Sequence, residues 1–235
     1  MTDKQKKIST VFFDFGDTLV EGRPAYLHRV ADLLAEFGFR HEVAEVVHAF
    51  NKADYLVYVD HQSGSLSVDG QYMMRFLHHF GECLGVKIDW KTLLPQILRK
   101  FDDQPYERAL ADGAIETLGA LRDKGYRLGV ISNNDGSCRT KCEALGIADF
   151  FKVIVDSSIE GVRKPAPKIF EIALERMKIS PREAMHVGDM YGSDVLGARD
   201  VEIQPVWYNQ NKVDAFSPYR PAHTVEQLAQ ILDFV

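Results

Sequence analysis

The second half of the chain alternates between apolar runs typical of buried strands and amphipathic helical segments, and this alternation limits the fold more than any other feature. From Asp112 onward the strand-like runs are "YRLGVISN", "KVIVDSS", "AMHVGDM" and "IQPVWYN". Helical segments stand between them, and a last one is predicted at "TVEQLAQILDFV". An earlier apolar run, "VFFDFGDTLV", supplies a first strand. The pattern predicts an α/β fold with a Rossmann-like parallel sheet that is covered by helices on both faces.

The stretch between the first strand and this alternation has a different periodicity. From about Arg23 to Lys100 apolar residues recur at helical spacing in four successive segments, with no convincing strand among them. Because the sheet needs the first strand, we interpret the helical stretch as an insertion. We predict a catalytic core in residues 1–20 and 108–235 and an all-helical cap domain in residues 21–107.

Composition excludes several classes of protein. The chain has 235 residues, of which 46% are hydrophobic and 26% charged, so it can build a packed core. A net charge of −6 argues against nucleic-acid binding through a broad basic face. No apolar run approaches the roughly 20 residues of a membrane span, "MTDKQKKIST" lacks a signal-peptide core, and three cysteines form no even disulfide set. We expect a cytoplasmic protein without membrane partners and leave its oligomeric state open.

Polar and charged side chains stand where the predicted strands end. Ligands bind at the carboxyl ends of the strands in parallel sheets of this kind, so these side chains should meet at one edge. They are Asp14 after the first strand, Ser132 and Asn133 after the second, Asp189 with Asp194 after the fourth, and Lys164 ahead of a helix that begins near Pro165 and Pro167.

These residue types suit the transfer of a phosphoryl group. Asp14 and Asp189 offer the carboxylate oxygens that Mg²⁺ prefers, and backbone N–H groups after the first strand can hold a phosphate. Asp14 can then attack phosphorus and form an aspartyl-phosphate. We predict a small phosphorylated substrate, Mg²⁺ as cofactor, and catalytic roles for Asp14, Ser132 and Lys164. The predicted substrate-binding groups are Phe15, Gly16, Ser132, Asn133 and Lys164.

Four short motifs, in order along the chain, resemble those of the haloacid dehalogenase-like hydrolases, in the branch with a helical cap inserted after the first motif. They are "FDFGDTL", "GVISNN", "RKPAPKIF" and "HVGDMYGSD", and together they cover nearly the whole chain. The resemblance implies that Asp14 is the nucleophile, that Ser132 and Asn133 bind the transferred group and that Lys164 neutralises it. It also implies that Asp14, the Gly16 carbonyl and Asp189 bind the metal, while Asp194 orients Lys164 or a water at the metal.

The first motif departs from the pattern of the phosphatases it resembles. Those proteins usually read Asp-x-Asp-Gly-Thr, and the second Asp is the general acid and base; this chain reads Asp14-Phe15-Gly16-Asp17-Thr18. Loss of proton transfer costs about 10²–10⁴-fold in rate, so we expect a slow or specialised phosphatase. Asp17 can either act from its shifted place or only cap the turn. We expect the second, because a shift of one residue in a tight turn redirects the side chain.

Other functions stay open from the sequence. A 2-haloacid dehalogenase is the first alternative, because such enzymes also lack the acid two residues after the nucleophile, although they work without the metal that Asp189 and Asp194 suit. A phosphonate hydrolase would need a lysine from the cap, for which Lys52 is a weak candidate. A weakly active binding or regulatory protein with the same fold is the last. Metal dependence separates the first alternative from a phosphatase.

Overall fold

The computed structural model describes residues 8–66 and 71–235 and contains the predicted parallel sheet. Within these residues the strands are, in chain order, β1 (Thr10–Phe13), β2 (Val20–Arg23), β3 (Glu107–Leu110), β4 (Arg127–Ser132), β5 (Phe151–Asp156), β6 (Ala184–Gly188), β7 (Gln204–Tyr208) and β8 (His223–Val225). Six of them form one sheet in the order β5-β4-β1-β6-β7-β8, and every pair in it is parallel. The predicted fold class is confirmed.

The apolar character of β1 places it at the centre of this sheet. Val11, Phe12 and Phe13 are fully buried, because helices cover both faces and β4 and β6 pair on either side. A Cβ at Gly129, which is paired with Phe12, would lie 2.8 Å from the Phe12 ring. Only glycine therefore lets β4 pass the large ring of β1 at this distance. The chain leaves β1 between the ends of β4 and β6, which is where Asp14 emerges.

Helices cover both faces of the sheet and also occupy the predicted insertion. In chain order they are α1 (Tyr26–Glu36), α2 (Val43–Gln62), α3 (Tyr72–Cys83), α4 (Trp90–Asp103), α5 (Ala114–Asp123), α6 (Cys138–Ala144), α7 (Ser157–Glu160), α8 (Pro167–Met177) and α9 (Gly197–Asp200). Short 3₁₀ turns occupy Ala148–Phe150, Pro181–Glu183 and Leu228–Asp233. No helix in the described ranges has the length and apolar character needed to cross a lipid bilayer.

Helices α1 to α4 have an apolar core of their own, which includes Leu34, Val46 and Trp90. Strand β2 precedes α1 and strand β3 follows α4, and the two strands pair as an antiparallel ribbon. The sequence showed neither strand, because each has only four residues and a ribbon is defined by its partner. The boundaries predicted for core and cap, at 20/21 and 107/108, fall within this ribbon, and that division stays a prediction. Residues 1–7 of the predicted core and 67–70 of the predicted cap lie outside the described residues.

The prediction for the C-terminus was wrong. The segment "TVEQLAQILDFV" was expected to be a helix, but Thr224 and Val225 belong to β8, and only a 3₁₀ turn at Leu228–Asp233 follows. Pairing of β8 with β7 at the sheet edge, where the Asn209 N–H donates to the Val225 carbonyl at 2.7 Å, overrides the helical spacing.

The helical segment predicted between the strand-like runs "AMHVGDM" and "IQPVWYN", at "SDVLGARD", has a different form. A π-helix spans Tyr191–Leu196, and α9 follows only from Gly197. Such wide turns occur often at functional sites, because they carry side chains out of the regular helical phase. This one begins just after Asp189 and contains Asp194.

Candidate active site

Asp14 lies at the carboxyl edge of the sheet, where β1 ends. Its backbone N–H donates to the Val187 carbonyl of β6 at 2.8 Å, which holds it to the neighbouring strand. Its side chain is buried, and Oδ1 accepts a hydrogen bond from Lys164 Nζ at 2.5 Å. Burial raises the pKa of Asp14 to about 6; Lys164 and a Phe15 backbone hydrogen bond lower it, and the charge of Asp194 raises it. The Phe15 N–H is thus directed at the carboxylate that is expected to attack.

Lys164 is the cation at the centre of the site. It is 2% exposed, and Nζ donates to Asp14 Oδ1, to the Ile131 carbonyl at 2.8 Å and to Asp194 Oδ1 at 2.6 Å. Burial alone would lower the pKa of Lys164, but the charges of Asp14 and Asp194 outweigh it and raise that pKa above its usual value. An ammonium has three donors, and protein groups use all of them. To bind a phosphate as well, Lys164 must give up one of these hydrogen bonds. The structure therefore favours a role for Lys164 in orienting Asp14 over a role as a phosphate ligand.

Asp194 orients Lys164 in turn. Its Oδ1 accepts from Lys164 and from His186 Nε2 at 2.8 Å, and its Oδ2 accepts from the Met190 N–H at 3.0 Å. Burial would raise the pKa of Asp194, but Lys164 and His186 outweigh it and lower that pKa to about 2. Burial lowers the pKa of His186, which therefore donates as a neutral ring. Because protein donors already occupy both carboxylate oxygens of Asp194, this residue is better suited to position Lys164 than to bind a metal ion.

Asp189 forms no direct ion pair with any described residue, although the charge of Lys164 is near enough to lower its pKa. Thr18 Oγ1 donates to its Oδ1 at 3.2 Å, and Trp207 Nε1 donates to its backbone carbonyl at 2.9 Å. Burial raises the pKa of Asp189 well above its usual value, and the charges of Asp14, Asp194 and Asp17 add to the effect. A carboxylate in this state is stabilised by an added cation.

The donor set fits a hard divalent metal ion. Asp14, Asp189 and Asp194 each bring one carboxylate oxygen to within 4.8 Å of the others, and Lys164 balances only one of the three negative charges. Mg²⁺ binds through one or two carboxylates and completes its shell with water and phosphate oxygens. Of these three carboxylates, Asp14 and Asp189 have raised pKa values, which means that an added positive charge would stabilise their ionised forms. The role of the Gly16 carbonyl as a further ligand stays a prediction.

The two predicted residues at the end of β4 differ in what they can do. Ser132 is 3% exposed, and no described residue forms a hydrogen bond with its hydroxyl, so that group is available to a substrate. Asn133 is already used: its Oδ1 accepts from the Lys164 N–H at 2.8 Å, and its Nδ2 donates to the Lys164 carbonyl at 3.0 Å. The Asn133 amide therefore holds the segment that carries Lys164, and only its backbone N–H is left for a phosphate.

The turn that carries the exchanged glycine has an unexpected backbone. Asp17 has a φ of 53°, in the left-handed region that favours glycine, whereas Gly16 does not. A Cβ at Gly16 would meet nothing within 4 Å. The Asp17 N–H donates to the Val20 carbonyl at 2.7 Å, but no described residue donates to the Asp17 carboxylate, so the side-chain cap expected there is not formed. Burial and the charge of Glu21 raise the pKa of Asp17 to about 6.

Sequence reasoning missed several residues that hold the site together. His186 of β6 was given no role from the sequence, yet it binds Asp194, and its Nδ1 has no partner among the described residues. A signal was present, because alternation along a strand puts His186 and Gly188 on one face. A Cβ at Gly188 would collide with the Asp194 carboxyl group, so this face is shaped to receive that side chain. Thr18 and Trp207 carried no comparable signal.

Comparison with known proteins places the chain among hydrolases. A family model described as haloacid dehalogenase-like hydrolase matches residues 8–202. The glyceraldehyde 3-phosphate phosphatase of Pyrococcus abyssi is 31% identical over 209 residues, which are 87% of this chain and 83% of the relative. The protein of the same name from Pyrococcus furiosus is 27% identical over 235 residues, or 97% and 93%. An L-2-haloacid dehalogenase, RSc1362, has a similar structure, with a TM-score of 0.68, 17% identity, and coverage of 98% of this chain and 99% of that one.

Proposed function

Because the chain belongs to the haloacid dehalogenase-like hydrolases, we propose that it is a Mg²⁺-dependent phosphatase that hydrolyses a small phosphate monoester through an aspartyl-phosphate at Asp14. The observation that supports this most is the cluster of Asp14, Asp189 and Asp194 at the carboxyl edge of the sheet, where the buried ammonium of Lys164 pairs with Asp14 and Asp194. Relatives named phosphatases match most of the chain at 27–31% identity, whereas the likeness to the dehalogenase RSc1362, at 17% identity, extends only to the fold.

In the proposed reaction a carboxylate oxygen of Asp14 attacks phosphorus in line with the leaving alcohol. The P–O bond to that alcohol breaks, and the alcohol takes a proton from water or from a protein acid. Lys164 holds the attacking carboxylate, while the Ser132 hydroxyl and the backbone N–H groups after β1 bind the phosphoryl oxygens. Asp14 and Asp189 would hold Mg²⁺, and the bound ion would supply positive charge for those oxygens. Water then cleaves the aspartyl-phosphate and releases inorganic phosphate.

A screen of phosphate esters with and without Mg²⁺ tests this proposal. Glyceraldehyde 3-phosphate comes first, because the two relatives carry its name, followed by sugar phosphates and an aryl phosphate. Release of inorganic phosphate that requires Mg²⁺ is expected. No release from any ester would favour the binding or regulatory alternative. Chloride release from 2-chloropropionate in the presence of chelator would favour the dehalogenase, the alternative that Gly16 supports.

Metal binding should depend on pH. Asp14 and Asp189 have raised pKa values in the metal-free protein, so they carry protons at low pH and must lose them to bind Mg²⁺. Because Asp14 ionises near pH 6 and Asp189 ionises well above its usual range, the affinity for Mg²⁺ should increase as the pH rises through about 6, with proton release on binding. Calorimetric titrations between pH 5.5 and 8, in buffers of different ionisation enthalpy, measure both effects.

A matched pair of variants checks where the metal binds. Asp189→Ala should weaken Mg²⁺ binding by at least about 10-fold, since it removes one of two carboxylate ligands. Asp123→Ala is the control, because Asp123 is an exposed carboxylate at the end of α5, next to the start of β4 and so on the opposite edge of the sheet. An affinity that is constant over this pH range, or equal in the two variants, would contradict the proposed ligands.

A further inference from the structure

The inserted helix α2 places a buried carboxylate against the segment that carries Asp194. Asp54 is 2% exposed, although it lies in the middle of a helix of the insertion. Its Oδ2 accepts hydrogen bonds from the Gly192 N–H at 2.6 Å and from the Ser193 N–H at 3.0 Å, and its Oδ1 accepts one from the Ser193 hydroxyl. All three donors belong to the π-helix after β6, so a single side chain from the insertion fixes two successive peptide units of that helix.

The backbone is shaped for this contact. A Cβ at Gly192 would lie 2.6 Å from the Asp54 carbonyl oxygen and 2.8 Å from Asp54 Oδ2. These distances are too short for any side chain, so glycine is needed for α2 to approach. The first turn of a helix leaves backbone N–H groups without partners, and a carboxylate that accepts them is a strong charge-assisted anchor.

The contact is one residue away from the catalytic network. Asp194 follows Ser193 directly, and its two oxygens bind Lys164, His186 and the Met190 N–H. Lys164 in turn holds Asp14 at 2.5 Å. A shift of the backbone at Ser193 would therefore change the position of Asp194 and, through Lys164, that of the attacking carboxylate.

We propose that Asp54 is a positioning residue: it fixes the backbone of Gly192 and Ser193 and thereby the Asp194 that orients Lys164 and Asp14, so that the site is complete only when α2 is docked. Asp54 touches neither the substrate nor the metal in this role. The kinetic part of the proposal rests on the phosphatase function proposed above, whereas the structural part does not.

Two other features allow this positioning role to be distinguished from a role in docking helix α2 on the core. Helix α2 has a second contact with the core, where Asp200 accepts from the Tyr58 hydroxyl at 2.8 Å and from Gln62 Nε2 at 2.7 Å. The metal ligand Asp189 is held independently, by Trp207 and Thr18. Loss of the Asp54 contact should therefore disturb Asp194 and leave Asp189 in place.

The test compares Asp54→Asn with Tyr58→Phe in the full chain. Asparagine keeps the shape of the side chain but replaces one acceptor oxygen by a donor, which faces N–H groups. Tyr58→Phe removes the hydroxyl that donates to Asp200 and accepts from Arg199, two hydrogen bonds of the same helix to the same side of the core, away from Asp194. Ser193→Ala, which removes only the hydroxyl donor and keeps the two backbone bonds, is the milder second variant.

Amide hydrogen exchange at Met190 is the direct measurement, because its N–H is bound by Asp194 Oδ2. Exchange there should be faster in Asp54→Asn than in the wild type, intermediate in Ser193→Ala and unchanged in Tyr58→Phe. With a substrate from the screen, kcat of Asp54→Asn should fall by about 10- to 100-fold, with little change in KM or in the affinity for Mg²⁺.

Two outcomes would overturn the proposal. One is Met190 exchange in Asp54→Asn that equals the wild-type rate. The other is a loss of exchange protection and kcat that is equal in Asp54→Asn and Tyr58→Phe, which would mean that Asp54 only helps the helix to dock. If the wild type hydrolyses no phosphate ester, the proposed function fails, but the exchange measurement still decides whether Asp54 positions Asp194.

Discussion

Asp14→Asn should abolish hydrolysis of every phosphate ester that the wild type cleaves, with a fall in kcat of about 10⁴-fold or more. The amide keeps the size of the side chain but is not a nucleophile, and no other step can replace formation of the aspartyl-phosphate. Rates under saturating substrate and Mg²⁺ measure the effect. Residual turnover above a tenth of the wild-type rate would exclude the covalent mechanism.

The fold should survive this change, which makes the result interpretable. The amide oxygen can still accept the hydrogen bond from Lys164, which loses only the negative charge of this partner and keeps Asp194 and the Ile131 carbonyl. Thermal unfolding followed by circular dichroism checks this point. A hydroxylamine trap gives a second readout, because it captures the acyl-phosphate of the wild type and should capture nothing in Asp14→Asn.

The double change Gly16→Asp, Asp17→Gly should raise the turnover of alkyl phosphates by up to the ~10²–10⁴-fold that a positioned acid and base supplies. An alkyl ester leaves as a poor alkoxide that needs a proton, whereas an aryl ester leaves as a stable phenolate. The wild type should therefore cleave aryl esters much faster than sugar phosphates. In the double variant the ratio of the aryl-ester rate to the alkyl-ester rate should be smaller. Rates for one aryl and one alkyl ester in both proteins measure the change.

The structure supports this exchange on physical grounds. A side chain at position 16 has free space around its Cβ, and glycine at position 17 would suit the φ of 53° that Asp17 now adopts. Relief of a left-handed backbone contributes about 1 kcal/mol to the free energy of unfolding, so the double variant should be at least as stable as the wild type. Chemical denaturation tests that expectation.

Asp17→Asn is the control that distinguishes the two roles of the shifted carboxyl group. Little change is expected if the acid and base are absent from the wild type. A selective loss of alkyl-ester turnover in Asp17→Asn would instead show that the exchange has relocated the proton donor. The pKa of about 6 and the free carboxylate of Asp17 make this a real alternative.

Some of the candidate site could be predicted from the sequence because strand ends converge. Asp14, Ser132, Lys164, Asp189 and Asp194 were each predicted at the carboxyl edge of a parallel sheet, and the structure brings Asp14, Lys164 and Asp194 into direct contact. The prediction works because apolar periodicity identifies buried strands, and the topology of a parallel sheet then places all strand ends on one side.

What each residue does at that edge could not be predicted in the same way. The sequence proposed Asn133 and Lys164 as phosphate ligands, yet the Asn133 amide is bound to the Lys164 backbone and the three donors of Lys164 are used by the protein. Hydrogen-bond partners depend on distances between segments far apart in the chain. A one-dimensional pattern contains no such distances.

By itself the sequence determined the α/β class, the burial of β1 and the cluster of ionisable groups beside it, because burial and periodicity are local properties of the chain. Only the tertiary structure decided that β8 extends the sheet, that Asp17 rather than Gly16 takes the left-handed backbone, and that Asp54 reaches Gly192 and Ser193 across 138 and 139 positions of sequence. Each of these depends on how one element packs against another, where the free energy of pairing or of a buried hydrogen bond outweighs the weak local preference of the residues involved.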